Sequence, residues 1–229
     1  MNFDFSDPAT LLDVILDLDY FHEGGDEPPA IPFHRVDGEG KVVVIVGDNA
    51  SGKSFCRRIV QAVCHKAQVE CIPISVEGRR KVSYMPWLTF VYGDEEREAT
   101  GVNSTHTVLT GIRTSEGREG KHVIFWDEPD LGLSESWAAG LGQKLCAFAQ
   151  NPPEHLQAAF IVSHSRALVR EMLPAKPFYL HLGVRAEEAP PTLKNWVERP
   201  VTPRDPEMLP KMSRERFKKI QRILNKVKP

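Results

Sequence analysis

The sequence predicts an α/β fold, a mainly parallel sheet flanked by helices. Three observations carry that prediction. Unbroken apolar runs recur at "VVVIV" (42–46), "VIFW" (123–126) and "AAFIV" (158–162), the pattern of strands buried on both faces. Helix-type periodicity lies between them, and such alternation builds a parallel sheet through crossover helices. The first run also breaks at Gly47 into a glycine-rich turn, and helical spacing resumes at once with Phe55, Ile59 and Val63.

The elements follow in chain order. "SDPATLLDVILDLDYF" reads as a helix with Asp7 at the N-cap and Pro8 at the first helical position. Leu11, Leu12, Ile15 and Leu18 form its apolar stripe, with Asp13 and Asp17 opposite. "HEGGDEPPAIP" is an exposed linker. "FHRVDGEGKVVVIVG" is expected to be a hairpin feeding the first buried strand, with "DGEG" as its turn. After the helix beginning near Phe55, "VECIPISV" reads as a strand, Arg79, Arg80 and Lys81 as a basic turn, and "KVSYMPWLTFVYG" as holding another strand. The polar stretch 94–121 is expected to contain one helix starting near Ser104. "HVIFWDEPD" is a buried strand ending in acids, and "ESWAAGLGQKLCAFAQ" a helix that stops before Asn151-Pro152-Pro153. "AAFIVSHS" is a third buried strand, "RALVREML" a helix, and "PFYLHLG" the closing strand. Residues 185–210 carry six prolines and are expected to wrap the surface. "SRERFKKIQRILNKVK" is amphipathic, with Phe217, Ile220, Leu224 and Val227 on one face. The chain thus divides into an acidic N-terminal helix and linker (1–30), a central domain (31–184), and a proline-rich wrap with a basic C-terminal helix (185–229).

Composition sets the class. Among 229 residues, 41% are hydrophobic and 26% charged, which fits a globular protein and excludes a disordered chain. The net charge of −2 favours no class of partner, but its distribution is uneven. Residues 1–30 hold eight acidic side chains and no Lys or Arg, whereas residues 211–229 hold eight basic ones against Glu215 alone. The basic end leaves three readings open: a docked amphipathic helix, a nucleic-acid contact, or a protein partner. Cys56, Cys64, Cys71 and Cys146 include no CxxC pair. A metal site of Cys64, Cys71 and His65 is conceivable, but reduced thiols in a cytoplasmic protein are the expected reading. The N-terminal stretch reads as no signal peptide, and no run reaches membrane-spanning length, so no membrane role is expected.

Three segments carry chemistry. "GDNASGKS", Gly47, Asp48, Asn49, Ala50, Ser51, Gly52, Lys53 and Ser54, matches G-x-x-x-x-G-K-[ST] in full. Its glycines let the backbone approach phosphates while successive N–H groups point at the anion from a helix start. Lys53 is expected to bridge β- and γ-phosphate oxygens and Ser54 to hold Mg²⁺. The bland alternative is a glycine-rich turn with an exposed lysine. In "VIFWDEPD", Asp127 ends a hydrophobic strand where a carboxylate reaches the metal shell, and Glu128 can polarise an attacking water. Strands also end in acids before a proline turn for structural reasons alone. "FIVSHS" sets His164 at a third strand end, where it can contact the γ-phosphate or serve a purely structural partner.

The order "GDNASGKS", "DEPDLGLS", "FIVSHS" resembles the ATP-binding-cassette (ABC) ATPases, a P-loop NTPase family, over about residues 32–183. Asn49 and the Glu128-Pro129 step favour this family over other P-loop proteins. The resemblance implies ATP and Mg²⁺ as cofactors, with Lys53 and Ser54 on phosphate and metal and Asp127 assisting the metal. It further implies Glu128 as catalytic base, His164 as switch, Leu133-Ser134 in the D-loop, and a homodimer on ATP binding. The chain departs from the family at three points. Ser104, 23 residues before Asp127, is followed by Thr105 and His106 in place of the signature glycines. Trp87 stands where the Q-loop glutamine is expected. Only 74 residues separate Lys53 from Asp127, which leaves a short helical subdomain.

The leading expectation is an ATPase whose turnover drives a conformational or assembly change, with a family-based lean toward nucleic-acid metabolism. The alternative is a nucleotide-gated protein-interaction module with little intrinsic turnover. A small-molecule kinase is disfavoured by the Glu128 and His164 pair and by the lack of an arginine-rich lid-like stretch.

Overall fold

A computed structural model describes residues 5–22, 28–74 and 98–227. The strand expected in "KVSYMPWLTFVYG", the basic turn at Arg79, Arg80 and Lys81, and Trp87 lie outside these residues. The strands are β1 (Phe33–Val36), β2 (Val42–Val46), β3 (Glu70–Ile74), β4 (His122–Asp127), β5 (Leu156–Val162) and β6 (Phe178–Leu182). They form one sheet in the order β1-β6-β2-β5-β4-β3, parallel throughout except where β1 meets β6. The helices are α1 (Pro8–Leu16), α2 (Lys53–Lys66), α3 (Thr100–Glu116), α4 (Glu135–Gln150), α5 (Arg166–Met172), α6 (Leu193–Glu198) and α7 (Met208–Val227).

Side chains alternate across a strand, so each apolar run feeds two cores at once. Val43, Ile45, Phe125, Phe160 and Leu180 pack on one face under α1, α2 and Ile220 of α7. Val44, Val46, Trp126, Ile161 and Tyr179 pack on the other, under α4, α5, α6 and Val108 of α3. The result is an α/β fold in three layers. Asp7 caps α1 by accepting the Thr10 N–H at 2.9 Å, and Pro8 opens the helix. Arg35 of β1 reaches back to Asp13 at 2.6 Å, which ties α1 to the sheet edge.

The expected hairpin does not form. β6 lies between β1 and β2, and β1 pairs antiparallel with it. Residues 37–41 cross over the start of β6, where the Glu39 N–H donates to the Lys176 carbonyl at 2.7 Å. Gly38 is required there, since a Cβ would lie 2.3 Å from the Phe178 nitrogen. The physical reason is that β6 is buried along its whole length and needs a strand at each edge to satisfy its peptide groups.

Further elements differ from expectation. α1 ends at Leu16, short of Leu18 and Phe21, and Ala30 and Ile31 of the expected exposed linker are buried, with the Ile31 N–H donating to Tyr20 O at 2.9 Å. α3 starts at Thr100, so Ser104 is not its cap but a buried residue of the second turn. Its hydroxyl donates to Leu131 O at 2.5 Å and Thr100 O at 3.0 Å, which fixes α3 against the turn after β4. Within the proline-rich wrap, α6 was not anticipated. Thr192 caps it and Trp196 is buried against α5 and its neighbours. No helix among the described residues is long and apolar enough to cross a membrane.

Because Ile15 of α1 is fully buried in the core beneath β2 and β5, Ile15→Ala is expected to cost about 2–5 kcal/mol in urea unfolding. A loss below about 0.5 kcal/mol, the level of a surface change, would show that α1 is not part of that core.

Candidate functional site

Parallel strands bring their carboxyl ends to one edge of the sheet, and that edge is where an open α/β sheet presents loops to a ligand. β5 lies between β2 and β4. The loop after β2 (Gly47 to Gly52), the turn after β4 (Asp127 to Asp130) and the turn after β5 (Ser163 to Ser165) are therefore neighbours, although the sequence spreads them over 119 residues from Gly47 to Ser165. Gly47, Lys53, Ser54, Asp127, Glu128 and His164 all belong to this edge.

The loop is shaped by its backbone. Ala50 has φ 61° and Gly52, the N-cap of α2, has φ 106°, and left-handed residues among right-handed ones converge N–H groups on one concave face. No side chain caps the start of α2, so its amides face the loop without an internal acceptor from that position. Gly47 passes so close to β6 that a Cβ would lie 2.4 Å from the Leu182 oxygen. Lys53 is buried, not exposed. Its Nζ donates to the carbonyls of Gly47 at 3.0 Å and Asp48 at 2.8 Å. Burial lowers its pKa from 10.5 to about 8, against the opposing pull of Glu128, Asp127 and Asp48. Ser54 is exposed at the second residue of α2, and the Asp48 carboxylate pairs with Arg204 at 2.8 Å.

The acids at the ends of β4 and β5 occupy distinct environments. Asp127 is 12% exposed and pairs with Arg57, one turn into α2, at 3.3 Å. Glu128 adopts a left-handed backbone, φ 54°, and its N–H donates to Val162 O at 3.0 Å. That kink ends the strand and turns its side chain toward solvent, where Oε1 lies 3.6 Å from His164 Nε2. Burial, then the charge of Lys53, lower the His164 pKa against the pull of Glu128 and Asp48, which favours the neutral ring. Asp130 accepts the Ser163 hydroxyl at 2.9 Å, and Ser163 in turn accepts the Ser165 N–H at 2.9 Å, which braces the turn carrying His164. Burial raises the Asp130 pKa.

Arginines distant in sequence surround the loop. A cavity of about 490 Å³ beside it is lined by Asp48, Asn49, Arg166, Arg199, Arg204 and Arg216. Arg166 donates to Arg199 O at 2.6 Å, and the Arg199 guanidinium lies 4.1 Å from the centre of the Trp196 ring. A second cavity, about 450 Å³, has residues Asn49 to Phe55 on one side and α7 on the other. Of the apolar face expected on the C-terminal helix, Ile220 is buried while Phe217 and Leu224 remain exposed, and the surface the helix covers includes the loop itself.

Sequence reasoning missed Arg57, Asp130, Arg166, Arg199, Arg204 and Arg216. Arg57 carried a usable signal, since a position four residues after Lys53 on α2 shares its helix face. The other arginines gave none, because only tertiary packing gathers them. Ser54 and Asp127 offer a hydroxyl and a carboxylate oxygen, hard donors of the kind Mg²⁺ takes while keeping several waters, and so fit that ion in kind. Cys64, Cys71 and His65 form no metal-holding group among the described residues, and all four cysteines are free thiols. No protein-family model matches the chain, and no curated protein or solved structure matches it.

The Lys53 pKa makes a stability test possible without any ligand. The folded pKa of about 8 lies below the ordinary 10.5, so between these values the unfolded chain binds more protons. Stability contributed through Lys53 therefore rises with pH across that window, and the cost of burying the charge is full below it. Lys53→Met is expected to be more stable than the native chain at pH 7.5 and to lose that advantage toward pH 10. Parallel stability profiles for the two proteins would exclude a buried ammonium.

Proposed function

We propose that this chain is a Mg²⁺-dependent, ATP-binding protein of P-loop NTPase fold that hydrolyses ATP, of the ABC type its motif order resembles. The observation that carries the reading is the buried Lys53 ammonium at the uncapped start of α2, beside Glu128 and His164. Uncapped amides and a desolvated cation share one remedy, an anion with several oxygens, and a triphosphate supplies it.

In this reading the loop from Gly47 to Ser54 holds the phosphates, and Lys53 exchanges its carbonyl partners for β- and γ-phosphate oxygens. Ser54 and Asp127 hold Mg²⁺, which when bound supplies positive charge to the phosphate oxygens. Glu128 accepts a proton as a water oxygen attacks the γ-phosphorus. The bond from that phosphorus to the bridging oxygen breaks, and ADP and phosphate leave. Neutral His164 can donate a hydrogen bond to the γ-phosphate, and Asp130 acts through Ser163 as a positioning residue for it. Four free thiols support a reducing, cytoplasmic setting.

A second reading, a nucleotide-gated interaction module, is favoured by one observation. Trp137 is 71% exposed and Val102 53% exposed, and both line an apolar groove with Gly132, Leu133 and Ser134 just beyond Glu128. That patch suits a second copy or another protein whose binding follows the state of the turn after β4. The outward basic residues Lys211, Arg214 and Lys218 of α7 leave room for a nucleic-acid or protein contact as well.

Glu128→Gln is expected to lower ATP turnover by about 10²-fold or more while ATP binding persists. Light scattering of that variant with Mg·ATP separates the two readings of the exposed patch. A dimer that Trp137→Ser abolishes assigns the patch to self-association, and a stable ATP-bound monomer assigns it to a different partner. Undiminished turnover in Glu128→Gln would remove Glu128 from the reaction.

A further inference from the structure

We infer that α7 is the second wall of the nucleotide site, with Phe217 stacking on the base and Arg216 contacting the phosphates. The inference rests on the ATP-binding reading and deepens it by naming where the nucleoside lies.

The cavity between the loop and α7 is about 450 Å³, within the size range of small-ligand pockets. Its two ends differ in character. At one end stand Asn49 to Ser54, Lys53, Glu128 and Arg216, all suited to phosphate chemistry. At the other stand Phe55, Phe217, Ile220 and Leu224, with Arg58 among them. The direction of α7 fixes which part of a nucleotide meets which end. Arg216 donates to Ser51 O at 3.2 Å, over the loop. Leu224, two turns further on, shares a neighbouring cavity with Tyr20, Phe55, Ile59 and Val63, along α2 and away from the loop. With phosphates on the loop amides, this cavity leads the nucleoside beneath the second half of α7.

Both named side chains are available for that role. The Phe217 ring is 60% exposed and lines this cavity, so it is accessible to a ligand there. Residues 217, 220, 221 and 224 recur at helical spacing, so the ring, Ile220 and Leu224 share one face and form an apolar ledge. Every base has a π-face, so such a ledge takes a purine without any hydrogen-bond readout. Arg216 donates only to carbonyls in the contacts described, Ala30 O and Ser51 O, both at 3.2 Å. Burial lowers its pKa, the mark of a cation lacking full compensation. A guanidinium carries five N–H donors, and both of these bonds use one nitrogen, so it retains donors for phosphate oxygens.

The test measures binding of Mg·ATP and of Mg·tripolyphosphate by titration calorimetry on the full chain. The proteins compared are native, Phe217→Ala, Phe217→Trp and Arg216→Gln. Phe217→Ala is expected to weaken ATP binding about tenfold or more and leave tripolyphosphate binding unchanged. Phe217→Trp should restore ATP binding, and Arg216→Gln should weaken both ligands. Thermal unfolding of each variant without ligand should match the native chain, which excludes a folding defect. Native protein that binds ATP, with Phe217→Ala binding it equally well or losing both ligands alike, overturns the assignment of the α7 wall alone. Native protein that binds neither ligand overturns the ATP reading and this inference with it.

Discussion

The central strands β2, β5 and β6 are buried on both faces, and that constraint decides where chemistry can occur in this molecule. A strand enclosed by helices above and below has no position for an unpaired polar group, because desolvation without a partner costs several times the net value of a hydrogen bond. Polar residues are therefore driven to the strand ends. The parallel pairing of β2, β4, β5 and β6 collects those ends on one edge, and the insertion of β5 between β2 and β4 brings His164 beside Glu128. The loop is continuous with the core in a literal sense, since Gly47 lies against the β6 backbone at Leu182.

Most of the charges on that edge have a partner already. Asp48 has Arg204, Asp127 has Arg57, Asp130 has Ser163, and Lys53 has two carbonyls of its own loop. A buried ammonium hydrogen-bonded only to neutral groups, two carbonyls and the Ser51 hydroxyl, is tolerable but not well stabilised, and burial lowers its pKa despite the pull of nearby carboxylates. Binding an anion here would exchange partners within a network rather than create contacts from nothing. The gain from such an exchange is the difference between anionic phosphate oxygens and neutral peptide carbonyls as acceptors for an ammonium, an ion pair in place of an ion–dipole contact. The ligand-free state is thus held together without being so well satisfied that an anion would gain nothing.

Much of this was legible in the sequence, and the failures share a cause. Runs with strict period or strong caps were readable: α1 through Asp7 and Pro8, α4 through the break at Asn151-Pro152-Pro153, and β2, β4 and β5 through their apolar runs. The motif order also located the loop and the ends of β4 and β5 before any fold was known. What failed depended on distant partners. "DGEG" carries good turn chemistry, yet the strands it joins are separated by β6, whose need for two edge partners is a property of the whole sheet. Ser104 looked like a helix start by residue type, but α3 begins a turn earlier, and the hydroxyl serves the Leu131 carbonyl instead. The arginines lining the cavity beside the loop come from α5, the wrap and α7, and no local pattern marks them as a set.

The C-terminal helix shows most clearly how sequence pattern and function separate. Its amphipathic spacing predicted a docked face, and Ile220 does dock, but pattern alone could not say that the surface beneath includes a phosphate-loop motif. Its basic residues also divide. Arg216 turns inward onto the loop, while Lys211, Arg214 and Lys218 face outward. α7 is seated by little buried apolar area, since Met208, Leu209, Phe217 and Leu224 all remain exposed. A ligand held between it and the loop would therefore add a substantial share of its docking energy. In the proposed arrangement, nucleotide occupancy and the seating of α7 are one equilibrium, and linkage between them is reciprocal. Whatever grips the outward basic face of a seated α7 more tightly than an unseated one must strengthen nucleotide binding by the same factor that nucleotide strengthens its own.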